Sequence, residues 1–146
     1  MSPSRCFVDT WGWLVLANDR DPAFRFVRDL RTAASGTLGA WVTTDYVLDE
    51  TMTRLFASAP FSKAKRFCEG IFEASQLGLV DIEYVTPERF RAAWRLRQRY
   101  ADKPRISFTD LTSFVVMTEL RLSTVISGDA HFEHARLGFN LALKPA

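Results

Sequence analysis

Residues 107–132, SFTDLTSFVVMTELRLSTVISGDAHF, contain the pattern that decides the fold. Ser107 or Thr109 is suited to cap a helix, because a side-chain hydroxyl accepts a hydrogen bond from an otherwise unpaired backbone N–H group. Asp110 falls in the first helical turn, where the positive end of the helix dipole favours a carboxylate. The apolar residues that follow give the helix a core face, and Thr124–Ser127 is typical of a short strand. The stretch therefore predicts a helix, a turn and a buried strand.

The same alternation extends along the chain in both directions. Apolar segments typical of strands are found at 6–8, 38–43, 79–85, 124–127 and 141–143, the last as an edge strand. Amphipathic helical segments separate them. Strands that alternate with helices predict a parallel sheet with helices on both faces. We therefore expect an α/β fold with about five parallel strands, in a single domain that spans residues 1–146.

Acidic residues recur where these elements begin or end. Asp9 follows the first strand, Glu50 lies early in the helix after the second, Asp110 opens a helix and Asp129 follows a later strand. The carboxyl ends of parallel strands share one edge of a sheet, so the four carboxylates are expected to converge. Two carboxylates ~5 Å apart repel by roughly 3 kcal/mol at an effective dielectric constant of 20. Mg²⁺ or Mn²⁺, which prefer oxygen ligands, would relieve that repulsion and activate water.

Four segments of the chain resemble a known family. They are FVDTWGWL at 7–14, TDYVLDETMTRL at 44–55, SFTDLTSFVVM at 107–117 and SGDAHFEHARLGF at 127–139. Together, in this order and at this spacing, they are similar to the signature segments of PIN-domain ribonucleases, in particular the VapC-like toxins of toxin–antitoxin pairs. The resemblance covers nearly the whole chain.

The resemblance implies metal-dependent endonucleolytic cleavage of RNA, a five-stranded parallel sheet, a homodimer and a small antitoxin protein that blocks the site. It matches Asp9, Glu50, Asp110 and Asp129 to the acidic set of the family, with Mg²⁺ or Mn²⁺ as the cofactor. It matches Thr10 and Ser127 to the small hydroxyl positions, although the family has threonine more often at the second of these.

Nearby residues offer alternatives to these assignments. Asp45 and Asp49 compete with Glu50, but Asp45 is better interpreted as an N-cap, and Asp49 points about 100° away from Glu50 around the helix. His131 and His134 suggest a zinc pair, yet two histidines without a nearby cysteine are a poor zinc site. Glu50 is therefore the predicted member of the site, and zinc is disfavoured.

Residues 89–105 hold seven Lys or Arg residues against one acid, Asp102. Such a run is commonly a solvated helix face, but beside an acidic metal site it is also suited to contact the phosphates of RNA. Its candidate RNA-binding residues are Arg91, Arg95 and Arg99. Phe90 and Trp94 are predicted to pack inward, although the helix is also suited to face a dimer partner.

The composition restricts the class of protein. The net charge is only +2 and the hydrophobic content 47%, so any affinity for nucleic acid must come from a local patch. The sequence contains neither a secretory signal nor a segment long enough to cross a membrane, which predicts a cytoplasmic protein.

Other functional classes also place acids in an α/β domain. A phosphatase of the aspartate type would need a second aspartate two residues after Asp9, and Trp11 is there instead. A receiver domain would need paired acids before the first strand and a late lysine, and the pattern lacks both. A non-catalytic module that binds RNA or an antitoxin stays open, and metal-dependent cleavage of RNA would distinguish the two.

Overall fold

The structure, a computed structural model, describes residues 5–128 and 131–142. Strands and helices alternate along these residues. The strands are β1 Cys6–Val8, β2 Trp41–Thr44, β3 Val80–Glu83, β4 Thr124–Ile126 and β5 Asn140–Leu141. The helices are α1 Thr10–Leu16, α2 Phe24–Ala34, α3 Asp45–Ser58, α4 Phe61–Gln76, α5 Pro87–Arg99, α6 Phe108–Glu119 and α7 His131–His134. No helix in this part of the chain combines the length and the apolar character needed to cross a bilayer.

The strands form one parallel sheet in the order β3-β2-β1-β4-β5, which confirms the predicted five-stranded α/β fold. From the central strand β1, the chain adds β2 and β3 on one side and then β4 and β5 on the other. The sheet therefore changes its direction of winding between β1 and β4. Ligands of open α/β sheets bind beyond the carboxyl ends of the strands at such a switch point.

A close helix–strand contact fixes the residues that follow β1. A Cβ atom on Gly12 of α1 would lie 3.0 Å from both the carbonyl oxygen of Ile126 and Cγ1 of Val8, so glycine lets α1 approach β1 and β4 closely. The buried indole of Trp13 then donates a hydrogen bond of 3.1 Å from Nε1 to Oγ1 of Thr43 on β2. These contacts hold the turn between β1 and α1 against the edge of the sheet.

The bounds of β2 to β5 differ from the prediction by one to three residues at one or both ends. β2 begins at Trp41 rather than Leu38, because Gly39 adopts a left-handed φ of 66° and its N–H bonds the carbonyl of Gly78 at 2.7 Å. The last strand is Asn140–Leu141, and Leu143 of the predicted strand lies outside the described residues.

The prediction that Phe90 and Trp94 pack inward is wrong. Their side chains are 46% and 55% exposed, and the fully buried residue of α5 is Ala93. The small Ala93 lets α5 lie close against α6, which turns the larger aromatic residues outward. Phe90 packs against the ring of Phe108, with 5.0 Å between the ring centroids. This leaves an aromatic stripe on α5 in contact with solvent.

Candidate active site

Asp9 is the most enclosed acid of the site. It immediately follows β1, next to the switch point, and its residue surface is only 6% exposed. The hydroxyl of Ser127, which follows β4, donates a hydrogen bond of 2.9 Å to Oδ2 of Asp9. The backbone N–H of Asp9 bonds the carbonyl of Ile126 at 3.1 Å. Two neighbouring strands thus place this carboxylate at the edge of the sheet.

Glu50 reaches the same cleft from α3. The hydroxyl of Thr10 donates a hydrogen bond of 3.2 Å to Oε2 of Glu50, and Arg54, one turn further along the helix, lies 3.7 Å from Oε1. Asp49 is exposed, which agrees with the choice of Glu50 as the residue that faces the cleft. The prediction that Asp45 caps the helix is wrong, because the hydroxyl of Thr44 accepts the capping bond and Asp45 accepts a bond from the N–H of Val85.

Asp110 enters the cleft from the start of α6, where it also closes a capping box. Its backbone N–H bonds Oγ of Ser107 at 3.0 Å, and its carboxylate accepts a bond of 3.4 Å from the N–H of Ser107. Ser107 rather than Thr109 is therefore the cap. Nδ1 of His131 lies 3.5 Å from Oδ2 of Asp110, so this histidine is placed beside an acid.

Gly128 brings an aromatic ring to the same cleft. A Cβ atom at this position would lie 2.7 Å from Nε1 of Trp11, closer than real Cβ atoms come to such an atom. Glycine therefore lets the indole lie directly against the backbone that precedes Asp129. Asp129 itself lies outside the described residues, and its part in the site stays a prediction.

The electrostatics of the cleft show the consequence of grouping these acids. Burial, together with the negative charges of Asp110 and Glu50, raises the pKa of Asp9 from 3.8 to about 7. The bonds from the Thr10 backbone and from the Ser127 hydroxyl lower it, but they do not compensate. A cation bound beside this carboxyl group would therefore stabilise its ionised form.

Two cations stand at the edge of the acidic cleft. Arg54 and Arg105 line it together with Asp9, Glu50 and Asp110. Sequence reasoning included Arg105 in a basic run without placing it, and it missed Arg54 and Trp11. The three predicted RNA-binding residues Arg91, Arg95 and Arg99 are exposed on α5 and are not among the residues that line the cleft.

The donor set fits a hard divalent cation. Within residues 5–128 and 131–142, no three Asp, Glu, His or Cys side chains form a group that could hold a metal ion by themselves. Mg²⁺ is commonly bound through one or two carboxylates with waters in the remaining positions. Asp9 and Asp110 can supply these carboxylates. The negative charge of Asp110 disfavours ionisation of the buried Asp9, and a bound divalent cation would offset that repulsion.

Comparison with known proteins identifies the family. The sequence model of the PIN domain matches residues 6–137. The chain belongs to the PIN-domain family. A VapC ribonuclease of Archaeoglobus fulgidus is 34% identical over 107 residues, which are 73% of this PIN domain and 64% of the relative. The chain thus spans a little less than two thirds of the length of that relative.

A solved structure supports the same family. The Mycobacterium tuberculosis toxin VapC20, described as cleaving the sarcin-ricin loop, superposes on this PIN domain with a TM-score of 0.75 at 28% identity. The superposition covers 92% of this chain and 96% of the toxin. The acidic cleft described above therefore lies in a PIN fold.

Proposed function

We propose that this PIN domain is an endoribonuclease that depends on Mg²⁺ or Mn²⁺ and acts as the toxin of a toxin–antitoxin pair. The observation that carries the proposal is Asp9, a carboxylate buried at the switch point of the sheet beside Asp110 and Glu50. Nuclease activity makes use of such a cluster, whereas a structural role would favour an apolar or neutral residue at a buried position. The VapC ribonuclease and the VapC20 toxin to which the chain is similar support the same reaction.

Each side chain has a role in this proposal. Asp9, Asp110 and the predicted ligand Asp129 hold the metal, and Ser127 fixes the Asp9 carboxylate by its hydrogen bond. Glu50, oriented by the Thr10 hydroxyl, completes the set by binding metal or by accepting a hydrogen bond from the attacking water. When bound, the divalent ion activates that water and stabilises the charge that develops on the phosphoryl oxygens.

The bonds made and broken define the products. Water attacks phosphorus in line, the P–O3′ bond breaks, a carboxylate accepts the proton that water loses, and the departing O3′ takes up a proton from solvent. The products are a 5′-phosphate and a 3′-hydroxyl.

The direct test is cleavage of RNA by purified protein. Incubation of structured and single-stranded RNA with Mg²⁺ or Mn²⁺ should give discrete fragments with 5′-phosphates, and EDTA should prevent their formation. The fragment ends are read by gel electrophoresis after phosphatase or ligase treatment. Cleavage that persists in EDTA would contradict the proposal, and binding of RNA without cleavage under any metal would favour the non-catalytic binding module.

We also propose that the exposed arginines of α5, Arg91, Arg95 and Arg99, contact the RNA backbone outside the cleft. Each lost phosphate contact should flatten the slope of log affinity against log salt by roughly 0.7 on single strands. The triple alanine variant should thus lose about 2 in slope, about equally for all sequences. Filter binding over a range of salt concentrations measures this. An unchanged slope would make these residues an ordinary solvated face.

The partners of the protein are proposals of the same kind. An antitoxin that blocks the cleft is supported by the similarity to VapC proteins. Its expected effect is loss of cleavage when the product of an adjacent short reading frame is added. A homodimer is supported by the aromatic stripe of Phe90 and Trp94, whose side chains the described elements leave about half exposed.

The dimer has a simple test. Trp94→Glu would place a charge in the middle of the aromatic stripe, where burial against a second copy would be costly. The wild type should have twice the mass of the 16.6 kDa chain in light scattering, and the variant should have the mass of one chain. Phe61→Glu, at an aromatic residue of α4 that is 71% exposed, is the matched control and should stay dimeric. A monomeric wild type would contradict the proposal.

A further inference from the structure

A second cleft, with a basic lining, adjoins the acidic one. Lys103 and Arg105 line it from the loop between α5 and α6, and Arg136 lines it from the end of α7. His131 and His134 complete that side, and the acid of the lining is Asp102. We name the group of Lys103, Arg105 and Arg136 the basic pocket. Its volume is about 400 Å³, enough for a phosphate group and part of a sugar.

The loop that carries two of these cations is fixed by an arginine of α5. Nη1 of Arg97 donates a bond of 2.6 Å to the carbonyl of Ile106, and Nη2 donates bonds of 2.7 and 2.8 Å to the carbonyls of Tyr100 and Lys103. Charge-assisted bonds of this kind are stronger than neutral ones. Arg97 therefore holds residues 100–106 in one conformation, with Lys103 and Arg105 at fixed positions.

Arg136 is placed on the other side at some cost. It has a left-handed φ of 56°, at the position after a helix where glycine is usual. An L-residue is strained in this conformation, because its Cβ atom comes close to the following carbonyl oxygen. Its backbone N–H donates a bond of 3.2 Å to the carbonyl of Glu133, and the residue is exposed, so its guanidinium group can reach a ligand from solvent.

The two clefts share a residue. Arg105 lines both the basic pocket and the cleft of Asp9, Glu50 and Asp110, and His131 touches Asp110 from the basic side. A strand of RNA whose scissile phosphate lies at the acids would therefore continue over the basic pocket. The side chains of the Lys103–Asp102 ion pair are 36% and 75% exposed, respectively. Exposed ion pairs contribute little to stability, so a phosphate can displace Asp102 from Lys103.

We infer that the basic pocket binds a phosphate of the substrate RNA adjacent to the one that is cleaved. The inference rests on the proposed function, because it assigns one part of the same substrate. Three cations around one acid favour a phosphate over a protein surface, whose binding would call for an apolar centre. Arg105 would then connect the two phosphates, and Arg97 is a positioning residue for the pocket.

The test measures RNA binding in the absence of cleavage. Asp9→Asn protein in EDTA serves as the parent, and the probe is a short fluorescein-labelled oligouridine followed by anisotropy over a range of salt concentrations. Into this parent we introduce Lys103→Ala with Arg136→Ala. The control pair is Arg20→Ala with Arg25→Ala, which removes the same charge from exposed positions before and in α2.

Loss of the one phosphate contact of the pocket should lower the salt slope by about 0.7, and hence the affinity at 0.1 M salt by about fivefold relative to 1 M. The control pair should change the affinity less than twofold. If the alanine pair lowers the melting temperature, Lys103→Gln with Arg136→Gln is used instead. This pair keeps long polar side chains without their charge and should give the same loss of slope.

Other results would overturn the inference. If the parent binds RNA and both the test pair and the control pair bind it as tightly as the parent, the pocket is not a phosphate site. The proposed function would be unaffected by that result. A parent that binds no RNA, together with a wild type that cleaves none, would remove both. Unchanged RNA affinity with weaker self-association in sedimentation would assign the pocket to protein contact instead.

Discussion

Replacement of Asp9 by asparagine is expected to lower the rate of RNA cleavage about a thousandfold. The substitution keeps the shape and an acceptor for the Ser127 hydroxyl, but it removes the most enclosed negative charge of the cleft. The charge stabilisation that a metal supplies in the transition state is several kcal/mol, and about 4 kcal/mol corresponds to a thousandfold in rate. Single-turnover cleavage at saturating Mg²⁺ measures the loss.

The chain offers a matched control for that experiment. Asp49→Asn removes a carboxylate next to Glu50 in the sequence, but Asp49 is exposed and points away from the cleft. It should leave the rate within about twofold, as is usual for surface substitutions. Equal loss in the two variants would mean that overall charge, rather than the Asp9 site, determines the activity.

The second large effect concerns stability and pH. The pKa of Asp9 rises from the ordinary aspartate value of 3.8 to about 7 in the fold, so the folded protein binds the proton more tightly than the unfolded chain. Stability from this group is therefore fully present below pH 4 and is lost as the pH rises to about 7. At about 1.4 kcal/mol per pKa unit, we expect Asp9→Asn to be more stable than the metal-free wild type by about 2–4 kcal/mol at pH 8 and about equal to it at pH 4.

Chemical denaturation in EDTA at the two pH values measures this difference. Each kcal/mol also corresponds to about 2–4 °C in melting temperature for a domain of this size. Mg²⁺ at a hundredfold excess over its dissociation constant should stabilise the wild type by about 2.7 kcal/mol, and the variant less. A variant that is less stable than the wild type at pH 8 would contradict the repulsive cluster.

Local signals explain what the sequence could predict. The Ser107 cap and Asp110 lie three residues apart in one helical turn, and the Asp9 position follows directly from an apolar strand. The 100° step of a helix lets only one of Asp49 and Glu50 face the site squarely, and the resemblance to the family favours Glu50. Each of these predictions depends on neighbours in the sequence, which is why the strands and the start of α6 could be predicted.

Other features depend on contacts between distant residues. The Trp11 indole against Gly128 joins residues more than a hundred positions apart, and no local pattern indicates it. Helical periodicity finds a stripe such as Phe90 and Trp94 but cannot say whether the protein itself covers it. The run at residues 89–105 likewise appeared to be one basic face, whereas Arg97 is bound to carbonyls and Arg105 lines two clefts.

Because Asp110 closes a capping box, mutation of Asp110 and mutation of Asp9 should remove the proposed activity with different effects on the fold. Asp110 both faces the cleft and closes the first turn of α6, so its replacement weakens the fold together with the chemistry. Replacement of Asp9 is instead expected to relieve a repulsion and, under the proposed function, to leave a folded, inactive protein. Under that proposal, a lineage inactivated at Asp110 should have less of the protein. A lineage inactivated at Asp9 should keep a stable copy that still binds the proposed antitoxin and leaves less of it to inhibit active copies.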